Sequence, residues 1–112
     1  VGITKSTSGT VTLSGVNTFT QAVSVTAGVL SFATSANLGD ASATNTLSVN
    51  GATLRFTGPG PGAVDLTANR VLTIGSSGAT LDVTQSTGIV TLSGGIAPAS
   101  TGNLIKTGAG TV

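Results

Sequence analysis

Apolar and polar residues alternate along this chain in short runs. Val11-Thr12-Leu13, Val23-Ser24-Val25, Leu30-Ser31-Phe32, Leu47-Ser48-Val49 and Leu54-Arg55-Phe56 read apolar, polar, apolar. So do Val64-Asp65-Leu66, Leu72-Thr73-Ile74, Leu81-Asp82-Val83 and Val90-Thr91-Leu92. Successive side chains of a strand point to opposite faces, so the pattern predicts short strands with one face buried and one wet. Gly, Pro and Asn fall between the runs, notably at Gly15, Gly28, Gly51, Gly78, Gly94-Gly95 and the "GPGPG" of 58–62, and predict turns there. No stretch carries an i, i+3, i+4 apolar stripe of helical length. The chain reads as all-β.

The runs also repeat. "VSVTAGVLSF" (23–32), "LSVNGATLRF" (47–56) and "LTIGSSGATLDV" (72–83) each hold a strand, a glycine corner and a second strand, and they start 24 and 25 positions apart. "GTVTLSG" (9–15) and "GIVTLSG" (88–94) form a second matched pair. Periods of this length mark solenoids, propellers or arrays. The expected fold is a right-handed parallel β-helix, or β-solenoid, of about four to five coils. Each coil pairs with its neighbour at about 4.8 Å, so the stack is roughly 20 Å long. An antiparallel sandwich also suits short strands, but its strands have no reason to repeat in pairs.

A longer echo joins the ends. "ITKSTSGTV" from Ile3 returns as "LIKTGAGTV" with Lys5 on Lys106, a shift of 101 positions. The expected organisation is therefore one solenoid segment over 1–112: a unit over 3–103 and the start of another over 104–112.

Composition narrows the classes. Only 6% of the 112 residues are charged and 3% aromatic, and His, Cys, Met, Trp, Tyr and Glu are absent. Average domains carry about 25% charged residues, so hydroxyls and Asn must supply the polar surface. A mean hydropathy of +0.45 at a net charge of +1 opposes the low hydrophobicity and high charge of disordered chains. The absence of Cys excludes a disulfide scaffold and a thiolate metal site. No apolar run approaches the roughly 18 residues that suggest a membrane span, and no basic-then-apolar leader opens the sequence. Without a cluster of Lys and Arg, nucleic acid is not an expected partner.

The opening third, "ITKSTSGTVTLSGVNTFTQAVSVTAGVLSF", resembles the autotransporter-associated β-strand repeat of large bacterial surface proteins. That motif runs approximately Lys-Thr-Gly-x-Gly-Thr-Leu-Thr-Leu-Ser-Gly, then Asn-Thr-aromatic-Thr-Gly, then Val-x-x-Gly-x-Leu. Lys5, Gly9, Thr10, Val11, Leu13, Ser14 and Gly15 fill the first part; Asn17, Thr18, Phe19 and Thr20 the second; Val25, Gly28 and Leu30 the third. Ser6-Thr7-Ser8 and Gln21-Ala22 depart from it. The resemblance implies a parallel β-helix, a secreted or cell-surface location and a stalk-like shape. It carries no catalytic residue.

Candidate chemistry is sparse. Paired acids hydrolyse glycosides in many enzymes, but the only carboxylates are Asp40, Asp65 and Asp82, and the last two take outward strand positions. In-register stacking places Ser31, Arg55 and Asp82 in one outward column, where an ion pair contributes roughly 0.2–1 kcal/mol and fixes register. Phe32 and Phe56 take equivalent inward positions and predict an internal aromatic stack. Lys5 and Lys106 read as equivalent charges beside strands, discouraging lateral pairing. "NLGD" (37–40) lacks the repeated acids of a calcium loop, and no metal or cofactor is expected. The structural residues singled out are Gly15, Gly28, Gly51, Gly78, Phe32, Phe56, Arg55 and Asp82.

The sequence thus predicts a non-catalytic repeat of a long extracellular bacterial fibre, stalk or filament. Its partners are neighbouring copies or repeats stacked head-to-tail, with no membrane insertion by this segment. One alternative is an adhesin module whose outer wall binds a glycan or surface protein. Another is the stalk of a passenger enzyme.

Overall fold

The computed structural model describes residues 1–58 and 62–112. Its strands are β1 (Ile3–Lys5), β2 (Thr10–Thr12), β3 (Val23–Val25), β4 (Val29–Phe32), β5 (Leu47–Val49) and β6 (Ala52–Phe56). They continue with β7 (Gly62–Asp65), β8 (Leu72–Ile74), β9 (Ala79–Val83), β10 (Gly88–Thr91) and β11 (Leu104–Thr107). A 3₁₀ turn over Ser35–Leu38 is the one helical element among the described residues.

All pairings between these strands are parallel. The first sheet runs β1-β3-β5-β8, the second β2-β4-β6-β9-β11, and the third pairs β7 with β10. The chain is a β-solenoid, with four rungs in one sheet and five in another, three to four turns between first and last. Isolated bridges from Leu72 to Ile96 and from Ile89 to Thr111 extend the first and third sheets. The molecule measures 31 × 28 × 27 Å.

Stacking of like residues builds the core. Val23 pairs with Leu47 and Leu47 with Leu72; Leu30 pairs with Leu54 and Leu54 with Leu81. All six are buried. Fully burying such a side chain contributes about 1.5–3 kcal/mol, but a single coil leaves it open above and below. Only stacked neighbours complete the burial. Phe32 lies on Phe56 in the next column, ring centroids 5.7 Å apart and tilted by 45°.

The corner from the first sheet to the second carries Gly28, Gly51 and Gly78, at φ of 69°, 73° and 80°. This left-handed backbone is strained for any residue with a Cβ. Coils also hydrogen-bond at this corner: Thr53 N donates to Gly28 O at 3.0 Å and Gly51 N to Gly78 O at 2.7 Å.

Some expectations need correction. The matched strings "GTVTLSG" and "GIVTLSG" lie in different sheets, since β2 pairs with β4 and β10 with β7. Lys5 and Lys106 are not equivalent either: β1 joins the first sheet and β11 the second. The reason is coil length. Ile96, the rung below Leu72, follows Ile3 by 93 positions, so a 101-position shift overshoots by eight residues. Those eight carry the chain from Ile96 round a corner to Leu104. Nor does Lys5 lie beside a strand as a free charge; it belongs to β1 and is buried. The centre of the "GPGPG" turn, 59–61, lies outside the described residues.

Candidate functional site

The second sheet brings Arg55 and Asp82 together in one column with Ser31, which is buried rather than on a wet outer face. Ser31 pairs with Arg55 and Arg55 with Asp82. Arg55 Nε donates to Asp82 Oδ2 at 2.8 Å. With Arg55 37% exposed, the pair contributes on the order of 0.5 kcal/mol, enough to favour one register over a slipped one.

The carboxylates do not converge. Asp40 and Asp65 each cap a local turn, Asp40 Oδ1 accepting from Ser42 N and Asp65 Oδ1 from Thr67 N, both at 2.9 Å. The Ser42 amide holds Asp40 below the usual carboxylate range, and the Ser93 hydroxyl does the same for Asp65. Among the described residues no three His, Cys, Asp or Glu side chains group as metal ligands would.

A second polar column escaped the sequence reading and lies inside the fold. Arg70 is 1% exposed. Its Nε donates to Asn45 Oδ1 and its Nη2 to Gly39 O, each at 2.9 Å, while Nη1 reaches Ser35 Oγ and Leu66 O. Asn45 Nδ2 donates in turn to Gln21 O at 2.9 Å and Leu38 O at 3.1 Å. Desolvation pulls the guanidinium pKa down, and nearby Asp40 partly offsets it. One signal was available: Asn45 and Arg70 each stand two residues before the equivalent positions Leu47 and Leu72, while Gln21, two before Val23, is exposed and lends only its backbone carbonyl. Aligning the repeats therefore puts Asn45 and Arg70 in one column. Asn37 closes a neighbouring corner, its Oδ1 accepting from Ala33 N and its Nδ2 donating to Gly15 O at 2.7 Å.

The two end rungs complete the inventory. Lys5 stacks on Val25 and Lys106 on Leu81, both inward-facing core positions. Lys5 is 5% exposed, its Nζ donating to Thr7 O and, across the coil boundary, to Ala27 O at 3.3 Å. Lys106 is exposed, its Nζ donating to Gly108 O at 2.8 Å. Val11, Leu104 and Ile105 are exposed on the same end rungs, while the internal rungs keep their inward apolar residues buried.

A shallow groove of about 360 Å³ crosses stacked corners between the first and second sheets, lined by Thr53, Ser77, Thr80, Asn103 and neighbouring small residues. It presents hydroxyls and an amide, with no charge and no aromatic ring. Comparison with family models, with curated proteins and with solved structures finds no match to this chain.

Proposed function

We propose that this chain is a non-catalytic structural segment of a long extracellular β-solenoid fibre or stalk at a bacterial surface. The observation that carries the reading is the stacking itself. All the strand pairs among the described residues are parallel and in register, so each sheet has a geometry that further rungs of the same kind can extend. A parallel stack has complementary head and tail edges, so extension is heterologous, does not close and makes a fibre. The nearly uncharged wall suits such a stack, because like residues lie over one another and repeated charges would repel. The residue-level resemblance to the autotransporter-associated repeat supports the surface location. Electron microscopy of the intact protein tests the proposal: unbranched fibres support it, and isolated compact particles at every concentration contradict it.

The corner groove favours a second reading, an adhesin wall that binds a neutral glycan through Thr53, Ser77 and Asn103. Glycan-array binding lost on Ser77→Arg supports that reading. Absence of binding by the native chain rejects it.

A further inference from the structure

One interior corner carries a chemically reactive pair. Three successive coils turn from the first sheet to the second at Ala27-Gly28, Asn50-Gly51 and Ser77-Gly78. Of the chain's six asparagines, Asn50 is the one that precedes a glycine. No side chain shields the Gly51 amide nitrogen, so it can close on Asn50 Cγ in a five-membered ring. The fold shows why an asparagine stands here. The corner of the next coil is two residues longer, and Asn50 Oδ1 accepts from Ser77 N of that corner at 2.9 Å. Gly75 leaves room for the amide, since a Cβ there would overlap Asn50 Cγ and Oδ1. Gly51 is tied to the same coil, its N donating to Gly78 O at 2.7 Å. The following coil therefore holds both reacting groups, while the Asn50 side chain stays exposed to water.

We propose that Asn50-Gly51 is a deamidation site that the packing of the next coil holds closed and that opening of this corner releases. The chemistry needs water alone. Gly51 N gives up its proton and bonds to Asn50 Cγ. The Cγ–Nδ2 bond breaks, and Nδ2 takes up a proton and leaves as ammonia, giving a succinimide. Water then adds to one ring carbonyl. Addition at Cγ breaks the Cγ–N bond and gives an aspartate. Addition at the main-chain carbonyl carbon gives an isoaspartate, whose backbone runs through Cβ and Cγ. In the closed corner neither path starts. The bond to Gly78 O keeps the Gly51 proton in place, and the bond from Ser77 N, with the fit over Gly75, stops Cγ from swinging onto that nitrogen. The two products differ in consequence. An aspartate keeps the acceptor that Ser77 N requires and adds one negative charge to a chain of formal net charge +1. An isoaspartate lengthens the backbone, so Gly51 N no longer meets Gly78 O and the opened corner does not reclose. The site thus makes corner opening irreversible. It does so whether or not the chain builds a fibre, because both corners belong to interior coils.

Incubating the whole chain at mildly alkaline pH, native and in guanidinium chloride, tests the proposal. Tandem mass spectrometry places the amide-to-acid mass increase, and isoaspartyl methyltransferase labelling reads the isoaspartate. In denaturant Asn50 is expected to convert at least about tenfold faster than Asn45, whose following residue Thr46 carries a side chain. In the native chain its rate is expected to fall at least about tenfold below the denatured rate, because reaction then waits on local opening. Gly75→Ala removes the guard alone, since its Cβ displaces the Asn50 side chain. In that variant, shown to be folded by circular dichroism, conversion is expected to rise toward the denatured rate. A second readout needs no variant: across sub-denaturing guanidinium, conversion at Asn50 and hydrogen exchange of the Gly51 amide should rise together. An Asn50 no faster than Asn45 in denaturant overturns the site. Native conversion as fast as in denaturant, a folded Gly75→Ala chain as slow as the unmodified one, or conversion that diverges from Gly51 exchange overturns the guard.

Discussion

Two arginines in one small fold have opposite energetic weight. Arg55 attracts notice in the sequence because it puts a charge at the polar centre of an alternating triplet, yet its bond to Asp82 lies on the outer wall. Arg70 stands outside every triplet and is the largest fully buried side chain. Urea unfolding should show Arg70→Ala losing on the order of 3 kcal/mol, since it strips charge-assisted bonds from Asn45 and Gly39 and leaves a cavity. Arg55→Ala should lose less than about 1 kcal/mol. Equal losses would contradict this ranking. Gly28 gives a sharper residue-scale test, because a Cβ there would lie 2.6 Å from Thr7 O at a φ of 69°. Gly28→Ala should lower the melting temperature by several degrees, the effect of about 1–2 kcal/mol in a domain of this size. The acids set the pH dependence. Hydrogen bonds depress the folded-state pKa values of Asp40 and Asp65, so their contribution is present above the ordinary aspartate value and lost as pH falls through the depressed ones. Melting temperature should therefore be flat from about pH 5 to 8, with no His to titrate, and fall below about pH 4. Asp65→Asn should flatten part of that fall.

At the scale of the element, alternation located strands well and assigned them to sheets poorly. Val23–Val25, Leu47–Val49 and Leu72–Ile74 are strands with the boundaries their triplets predict. Their stacking followed from the 24- and 25-residue period. The lysine-bearing strands β1 and β11 were missed, because a charge at an inward position breaks the alternation by which a strand is recognised. Sheet assignment was illegible for a different reason. A run such as Val-Thr-Leu-Ser-Gly fits any wall, and only the residues counted from the preceding corner decide which one it joins. Those counts vary: "LTIGSSGATLDV" carries two more residues at its corner than "LSVNGATLRF". Asn45 and Arg70 fall at equivalent positions of the repeats, but a polar residue outside a strand carries no burial signal in the alternation. Hydrogen exchange should rank the elements accordingly. Amides of β3–β6, β8 and β9, flanked by rungs on both sides, should be the most protected, and those of β1, β2 and β11 the least in dilute monomer. Fast exchange in β5 or β6 would contradict the stacked core.

At the scale of the molecule, a solenoid has no natural length. Each coil is stabilised by its neighbours, so stability grows with the number stacked and the end rungs are the weakest part. The internal rungs accordingly hold the fully buried apolar residues, Val23, Leu30, Leu47 and Leu81 among them. Among the described residues Asp40, Asp65 and Asp82 lie apart, each held by its own local bonds. The most direct measurement is the axial rise of the intact assembly by electron microscopy. Parallel rungs stacked along the axis predict a rise of about 4.8 Å per rung and a reflection at that spacing along the fibre axis. Particles with no axial periodicity, or a fibre whose strands run along its axis instead of across it, would contradict the account.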